Sequence, residues 1–172
     1  RKLSTSRDDI RALLADFHAV GVREEHLRED LVKSGLRPDA VTVMDPTFLI
    51  SDYSDIVADE PPIGERYVAS YEISSSRSRA PFSREALAFK KMCGLPLYHL
   101  GSNPIASADI SLIPPTPQKW LRTLMDAEYI IANSFHGLAF SIILRKKFVY
   151  LLHQEEDKNA RARNLLRTAG LA

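Results

Sequence analysis

Cysteine occurs once in these 172 residues, as Cys93, so no disulfide can form within the chain and a reducing, cytoplasmic setting is expected. Net charge is nearly absent too. The 23 Lys and Arg against 22 Asp and Glu leave +1, too little to call for nucleic acid or a membrane surface. No apolar run reaches the roughly 18 residues of a membrane span, and none has the form of a signal peptide. The chain lacks Cys pairs and its five histidines are scattered, so the usual zinc spacings are excluded and no metal is expected. It also lacks G-x-S-x-G. A Ser-His-Asp hydrolase built on Ser134 is thereby set aside, since Ser134 and His136 stand only two residues apart. Internal repeats and low-complexity tracts are missing as well.

What remains is ordinary in bulk: 45% hydrophobic and 26% charged residues, enough for one domain or pieces of two. The chain opens on "RKLSTSRDDI" without methionine and ends on "RTAGLA", which is expected of a piece of a longer protein that would be inactive alone.

Helical spacing of Ile10, Leu13, Leu14 and Phe17 predicts a first helix, with Ser6 as its N-cap. "HAVGV" predicts a strand, "REEHLREDLVKSG" a helix closed by Gly35, and "AVTVMDPTFLI" a second strand ended at Asp45-Pro46. The acidic, aperiodic stretch 51–66 with its Pro-Pro pair reads as a linker. The pattern then becomes regular. "RYVASYEI" is a strand, "SREALAFKKMCG" a helix capped by Ser83 and closed by Gly94, and "LPLYHLG" a strand. "TPQKWLRTLMDA" is a helix with Thr116 at the N-cap and Pro117 at N1. "YIIANSF", "GLAFSIILRK", "FVYLL" and "NARARNLLRTAG" follow as strand, helix, strand and helix.

Such alternation, with strands that are apolar throughout, predicts an α/β protein with a parallel sheet covered on both faces. Ligands of such sheets bind outside the carboxyl ends of the strands. Residues just after strands are therefore the functional candidates: Arg23, Arg77 and Arg79 in "SSSRSR", and Asn133 to Gly137.

"YIIANSFHGLAFSIILRKKFVYLL" carries the sharpest question. A helix start exposes N–H groups that favour an anion, and Gly137 lets another group come close to the backbone. His136 is either first-turn decoration behind a Ser134 cap or a proton donor and acceptor suited to neutral pH.

In sequence context the segment resembles the polysaccharide pyruvyl transferase family, in which a strand leads into S-F-H-G and an apolar helix. "FHAVGVREEHLREDLVKSGL", "VTVMDPTFLIS", "YVASYEIS" and "DKNARARNLLRTAGL" are similar to further family segments in the same order. The resemblance implies a Rossmann-like fold like the second half of a two-domain, glycosyltransferase-B-like protein. Residues 1–61 would be the tail of the N-terminal α/β domain plus linker, and 62–172 the C-terminal Rossmann-like domain. It implies transfer of pyruvate from phosphoenolpyruvate to sugar hydroxyls of a polysaccharide or its lipid-linked precursor, forming a ketal, with no cofactor. The setting would be cytoplasmic, at the inner face of the membrane.

By the same match His136 is the acid–base residue, Ser134 and Gly137 shape the anion site, and Arg23, Asn159 and Arg161 bind substrate. Some relatives carry arginine two residues before the histidine; Ser134 stands there instead. The donor phosphate would then need Lys147, Lys158 or Arg161. Two rivals stay open: a nucleotide-sugar glycosyltransferase, with Glu72 as a conceivable ribose ligand, and a non-catalytic carbohydrate-binding relative.

Overall fold

The computed structural model describes residues 7–73, 76–153 and 159–171, and side chains there except those of 7 and 76–80. Ser6, Lys158 and the side chains of Arg77 and Arg79 lie outside the described set. The chain divides into two compact units, Arg1–Leu49 and Ile50–Ala172.

In the first unit, α1 (Arg7–Ala15) leads to β1 (Gly21–Val22), α2 (Glu25–Lys33) and β2 (Val41–Thr42), and a 3-10 turn spans Pro46–Leu49. The two short strands pair in parallel, Gly21 beside Val41. Arg37 braces the start of this unit. Its guanidinium donates to the carbonyls of Leu14, at the end of α1, and Phe17, just past it, each at 2.8 Å.

The second unit contains a 3-10 turn at Ser54–Val57, then β3 (Val68–Tyr71), α3 (Ser76–Cys93), β4 (Leu97–His99) and β5 (Ile110–Ser111). It continues through α4 (Pro117–Asp126), β6 (Tyr129–Ala132), α5 (Phe135–Ile143), β7 (Lys147–Tyr150) and α6 (Ala160–Thr168). Its sheet has the order β5-β4-β3-β6-β7, and all four pairings are parallel.

Both faces of this sheet are buried, and the two-residue period of the strands sorts the side chains between them. Ala69, Tyr98, Leu100, Ile130 and Ala132 join Leu121 and Leu124 of α4 and Phe140 of α5 in one core. Val68, Leu97 and Ile131 join Phe82 and Ala86 of α3 in the other. The expected parallel sheet with helices on both faces is present.

Three sequence expectations shift. First, the stretch read as linker is packed: Tyr53 and Val57 sit in the α4–α5 core, and the Val57 carbonyl accepts from Arg122 at 2.9 Å. The aperiodic sequence hid two buried anchors, and residues 50–61 belong with the second unit. Second, α3 begins at Ser76 and runs through Pro81. Proline removes one helical donor there without ending the helix, and Ser83 shares a 3.1 Å hydrogen bond with Ser107 instead of capping. Third, the stretch between β4 and α4, to which the sequence pattern assigns no element, contains β5. That strand is two exposed residues long, and its place is fixed from outside the strand, by Asp109 accepting from the Leu97 N–H at 2.7 Å. Thr116 does cap α4, accepting from the Lys119 N–H at 3.1 Å.

Candidate functional site

From β3 the chain moves to β4 and β5 on one side, and it returns to β6 and β7 on the other. The strand order therefore switches between β3 and β6, and the crevice outside their carboxyl ends is where such a sheet receives a ligand. Tyr71, Glu72 and Ile73 follow one strand and Asn133 to His136 the other.

Asn133 ties this point together. Its N–H donates to the Tyr71 carbonyl at 3.3 Å, and its side-chain oxygen accepts from the Ile73 N–H at 3.3 Å. Its carbonyl accepts two more bonds, from the Tyr150 hydroxyl at 3.1 Å and from His153 Nε2 at 2.7 Å. A carbonyl can only accept, so Nε2 of His153 carries a proton. The main chain of His153 is in turn gripped by Asn159, whose side-chain oxygen accepts from its N–H at 2.8 Å while Nδ2 donates to its carbonyl at 2.9 Å. Asn159 is fully buried. Expected from the family match to bind substrate, it holds main chain in place.

Past Asn133, Ser134 turns the chain with φ −100° and ψ 147°, and its Oγ accepts from the Gly137 N–H at 3.0 Å. The cap is thus real. Gly137 is buried, and a Cβ there would meet Ala132 Cβ at 2.7 Å, Ser134 Oγ at 3.0 Å and Tyr71 Cδ1 at 3.2 Å. The group that approaches its backbone is the protein itself: the missing side chain seats α5 on β6 and on the Tyr71 ring.

His136 is exposed on this first turn, its ring 5.6 Å from that of Phe135. The other face of the neighbourhood holds Arg161 of α6, whose guanidinium lies 5.4 Å from the Phe135 ring. Burial pushes the Tyr150 phenol above its ordinary range while Arg161 pulls it back, which places that cation near the β7 end too. Lys147 is elsewhere. It lies 5.7 Å from the Tyr129 ring, and Tyr129 pairs with it at the amino ends of the strands, so the positive charge sought for a donor phosphate does not come from Lys147. Glu72 is buried at the end of β3.

Two clefts flank the switch point. One of about 590 Å³ is lined by His136 with Tyr71, Trp120, Phe140 and a proline wall at 114, 115 and 117. The other, of about 320 Å³, is lined by Asn133, Tyr150, His153, Phe82 and Glu85 among others. His153 was missed from sequence, although its position directly after a strand was the signal that selected His136.

Arg23 belongs to the first unit. It follows β1 and pairs with Asp45, which follows the adjacent β2. Asp45 also accepts from the Thr47 N–H at 3.1 Å and hydroxyl at 2.9 Å. Burial would raise its pKa, but the bonds from Thr47 and Arg23 outweigh it and hold the carboxyl below the usual range. The D-P-T turn thus both ends a strand and orients Arg23. The remaining histidine of note, His99, is a core residue: fully buried, it donates from Nε2 to the Asn103 carbonyl at 3.0 Å and accepts the Ser70 hydroxyl at 2.8 Å.

A parallel, doubly covered sheet with its candidate groups at the switch point defines a Rossmann-like α/β protein of the kind that forms half of a glycosyltransferase-B-like fold. One solved structure agrees on the fold. The wall teichoic acid polymerase TagF matches with 7% identity and a TM-score of 0.50, over 94% of this chain and 47% of that one. A second, ligand-soaked TagF structure matches at 9% identity and TM-score 0.49, over 92% and 45%. An uncharacterized protein from Corynebacterium glutamicum matches at 12% identity and TM-score 0.31, over 61% and 96%. The chain thus spans under half the length of TagF. No curated protein matches it. The model of the polysaccharide pyruvyl transferase family matches residues 2–155, and the chain belongs to that family. No helix among the described residues is long and apolar enough to cross a membrane.

Proposed function

We propose that the protein transfers pyruvate from phosphoenolpyruvate to two hydroxyls of a sugar in a polysaccharide or its lipid-linked precursor, with His136 moving the protons. One observation carries this reading: the family's S-F-H-G segment falls at the carboxyl end of β6, at the switch point, with His136 exposed into a cleft.

The chemistry needs one group that can both take and give a proton. Carbon 3 of the enol gains a proton, so carbon 2 becomes electrophilic. A sugar hydroxyl attacks carbon 2 and gives up its own proton. The C–O bond to phosphate breaks, and the second hydroxyl closes the ketal. Two hydroxyl protons are released; one ends on carbon 3 and the other on phosphate. An imidazole can relay the first from hydroxyl to carbon 3, since it can take a proton on a ring nitrogen and give it up again. Ser134 serves here as the cap that points α5 and its N–H groups outward, and Asn159 as the clamp behind it. Arg161, beside the Phe135 ring, is a cation suited to the donor's carboxylate and phosphate. No cofactor takes part in this scheme, and the site would face the cytoplasm, where phosphoenolpyruvate is made.

Calorimetric titration of the full-length protein with phosphoenolpyruvate tests the reading. Saturable binding is expected, weakened by Arg161→Ala; His136→Ala keeps most of the affinity and loses transfer. Absence of binding, with a nucleotide sugar binding in its place, would transfer the site to glycosyl transfer.

A further inference from the structure

The cleft beside His136 is built from groups that the proton chemistry does not use. Tyr71, Trp120 and Phe140 form a continuous aromatic surface, with Trp120 at 5.1 Å from Tyr71 and 5.0 Å from Phe140, both edge to face. Trp120 stands in the first turn of α4, behind the proline wall. Two polar atoms of these side chains make no hydrogen bond among the described residues. The indole N–H of Trp120 is buried and has no acceptor among the described residues. The Tyr71 hydroxyl also makes no hydrogen bond among them, and it is not sealed from solvent as the indole N–H is. Burial holds the Tyr71 phenol above its usual pKa, so it stays protonated and can both donate and accept.

Aromatic faces edged by unpaired donors suit one ligand class well: a pyranose ring, whose C–H face packs on apolar surface while its hydroxyls need partners. The volume of about 590 Å³ falls within the ~300–1,000 Å³ usual for small-molecule sites. The described lining residues are mostly apolar or aromatic and include no Lys or Arg, which suits a neutral ligand. A sugar seated on this surface presents its hydroxyls to the space that His136 borders.

We infer that the Tyr71–Trp120–Phe140 cleft is the acceptor subsite, holding the sugar residue that receives pyruvate, with the Tyr71 hydroxyl and the Trp120 N–H as its recognition groups. The inference rests on the pyruvyl-transfer reading of His136. Gly137 has a part in it, since the absence of a side chain there leaves room for the Tyr71 ring.

The test uses the full-length protein and a panel of methyl glycosides of common hexoses and N-acetylhexosamines, with sorbitol as the ringless control. Binding is read by saturation-transfer NMR, and phosphoenolpyruvate binding is measured by calorimetry on the same samples. The expected result is saturable binding of at least one glycoside but not sorbitol. Tyr71→Phe and Trp120→Phe should each weaken it about three- to tenfold, the worth of one lost hydrogen bond, and leave phosphoenolpyruvate affinity unchanged. Trp120→Phe should also leave the free protein as stable as before or more so, because it removes an unpaired buried donor; a purely structural tryptophan would give the opposite. Phosphoenolpyruvate binding without any glycoside binding would overturn the subsite and spare the donor reading. So would glycoside binding that ignores both variants. Glycoside binding sensitive to both variants, with no phosphoenolpyruvate binding, would keep the subsite and remove the pyruvyl donor.

Discussion

Replacing Gly137 by alanine tests the packing that sets the site. The added Cβ would lie 2.7 Å from Ala132 Cβ, whereas two carbons rest at about 3.5–4.0 Å, so the overlap is about 1 Å. Neither partner can swing aside, because both carbons are attached directly to main chain, one on α5 and one on β6. Ser134 Oγ at 3.0 Å and Tyr71 Cδ1 at 3.2 Å close the remaining directions. Overpacking of this kind destabilises by about 1–3 kcal/mol, and alanine's better helix propensity returns at most ~1 kcal/mol. The net loss should be about 1–2 kcal/mol, which for a chain of this size lowers Tm by roughly 2–8 °C. Thermal and urea unfolding followed by circular dichroism would measure it. Ala132→Gly removes the facing methyl, so the double variant should recover part of the loss, with a favourable coupling above about 0.5 kcal/mol. A Gly137→Ala protein as stable as the parent, or a coupling of zero, would refute the claim that close approach of α5 to β6 requires glycine.

Other outcomes follow from the same geometry. Asn159→Ala leaves the His153 N–H and carbonyl without their partners in a buried place and should cost about 2–4 kcal/mol by urea unfolding. Ser134→Ala removes the cap on α5 and should cost about 0.5–2 kcal/mol, well below the effect of Asn159→Ala. Acid should loosen the first unit. Asp45 is held below the ordinary carboxylate value of 3.8, and Asp39, bonded by Arg37, is lowered from 3.8 to about 2. A carboxyl whose folded pKa is depressed contributes stability that is complete above its unfolded pKa and lost as pH falls through the folded one. The first unit should therefore weaken between pH 3.8 and about 2, and Asp45→Asn should flatten that dependence in an acid titration. His99→Leu should destabilise without altering phosphoenolpyruvate binding, because it removes the ring nitrogen that accepts the buried Ser70 hydroxyl and the donor to the Asn103 carbonyl; a selective loss of donor binding would contradict its purely structural place.

By itself the sequence determined the alternation of elements, the parallel sheet and the choice of β6's carboxyl end. These depend on local pattern: apolar runs of strand length, Thr116-Pro117 and Ser134 at helix starts, and Gly94 at φ +63° where α3 ends. It also placed His136 and Arg23 directly after strands. Only the tertiary structure decided what those residues touch. Residues 51–66 read as linker because Tyr53 and Val57 have no periodic neighbours, yet both are core residues. Asn159 read as a substrate group, yet it bonds the main chain of His153, six positions earlier in the sequence. Asp45 read as a turn, yet it holds Arg23 from 22 residues away. Tyr71 and Trp120 carried no motif, being ordinary aromatics in a strand and a helix 49 positions apart in the numbering. They meet because strand order is set by which apolar faces can be buried together, a property of the packed sheet that no local window of sequence contains.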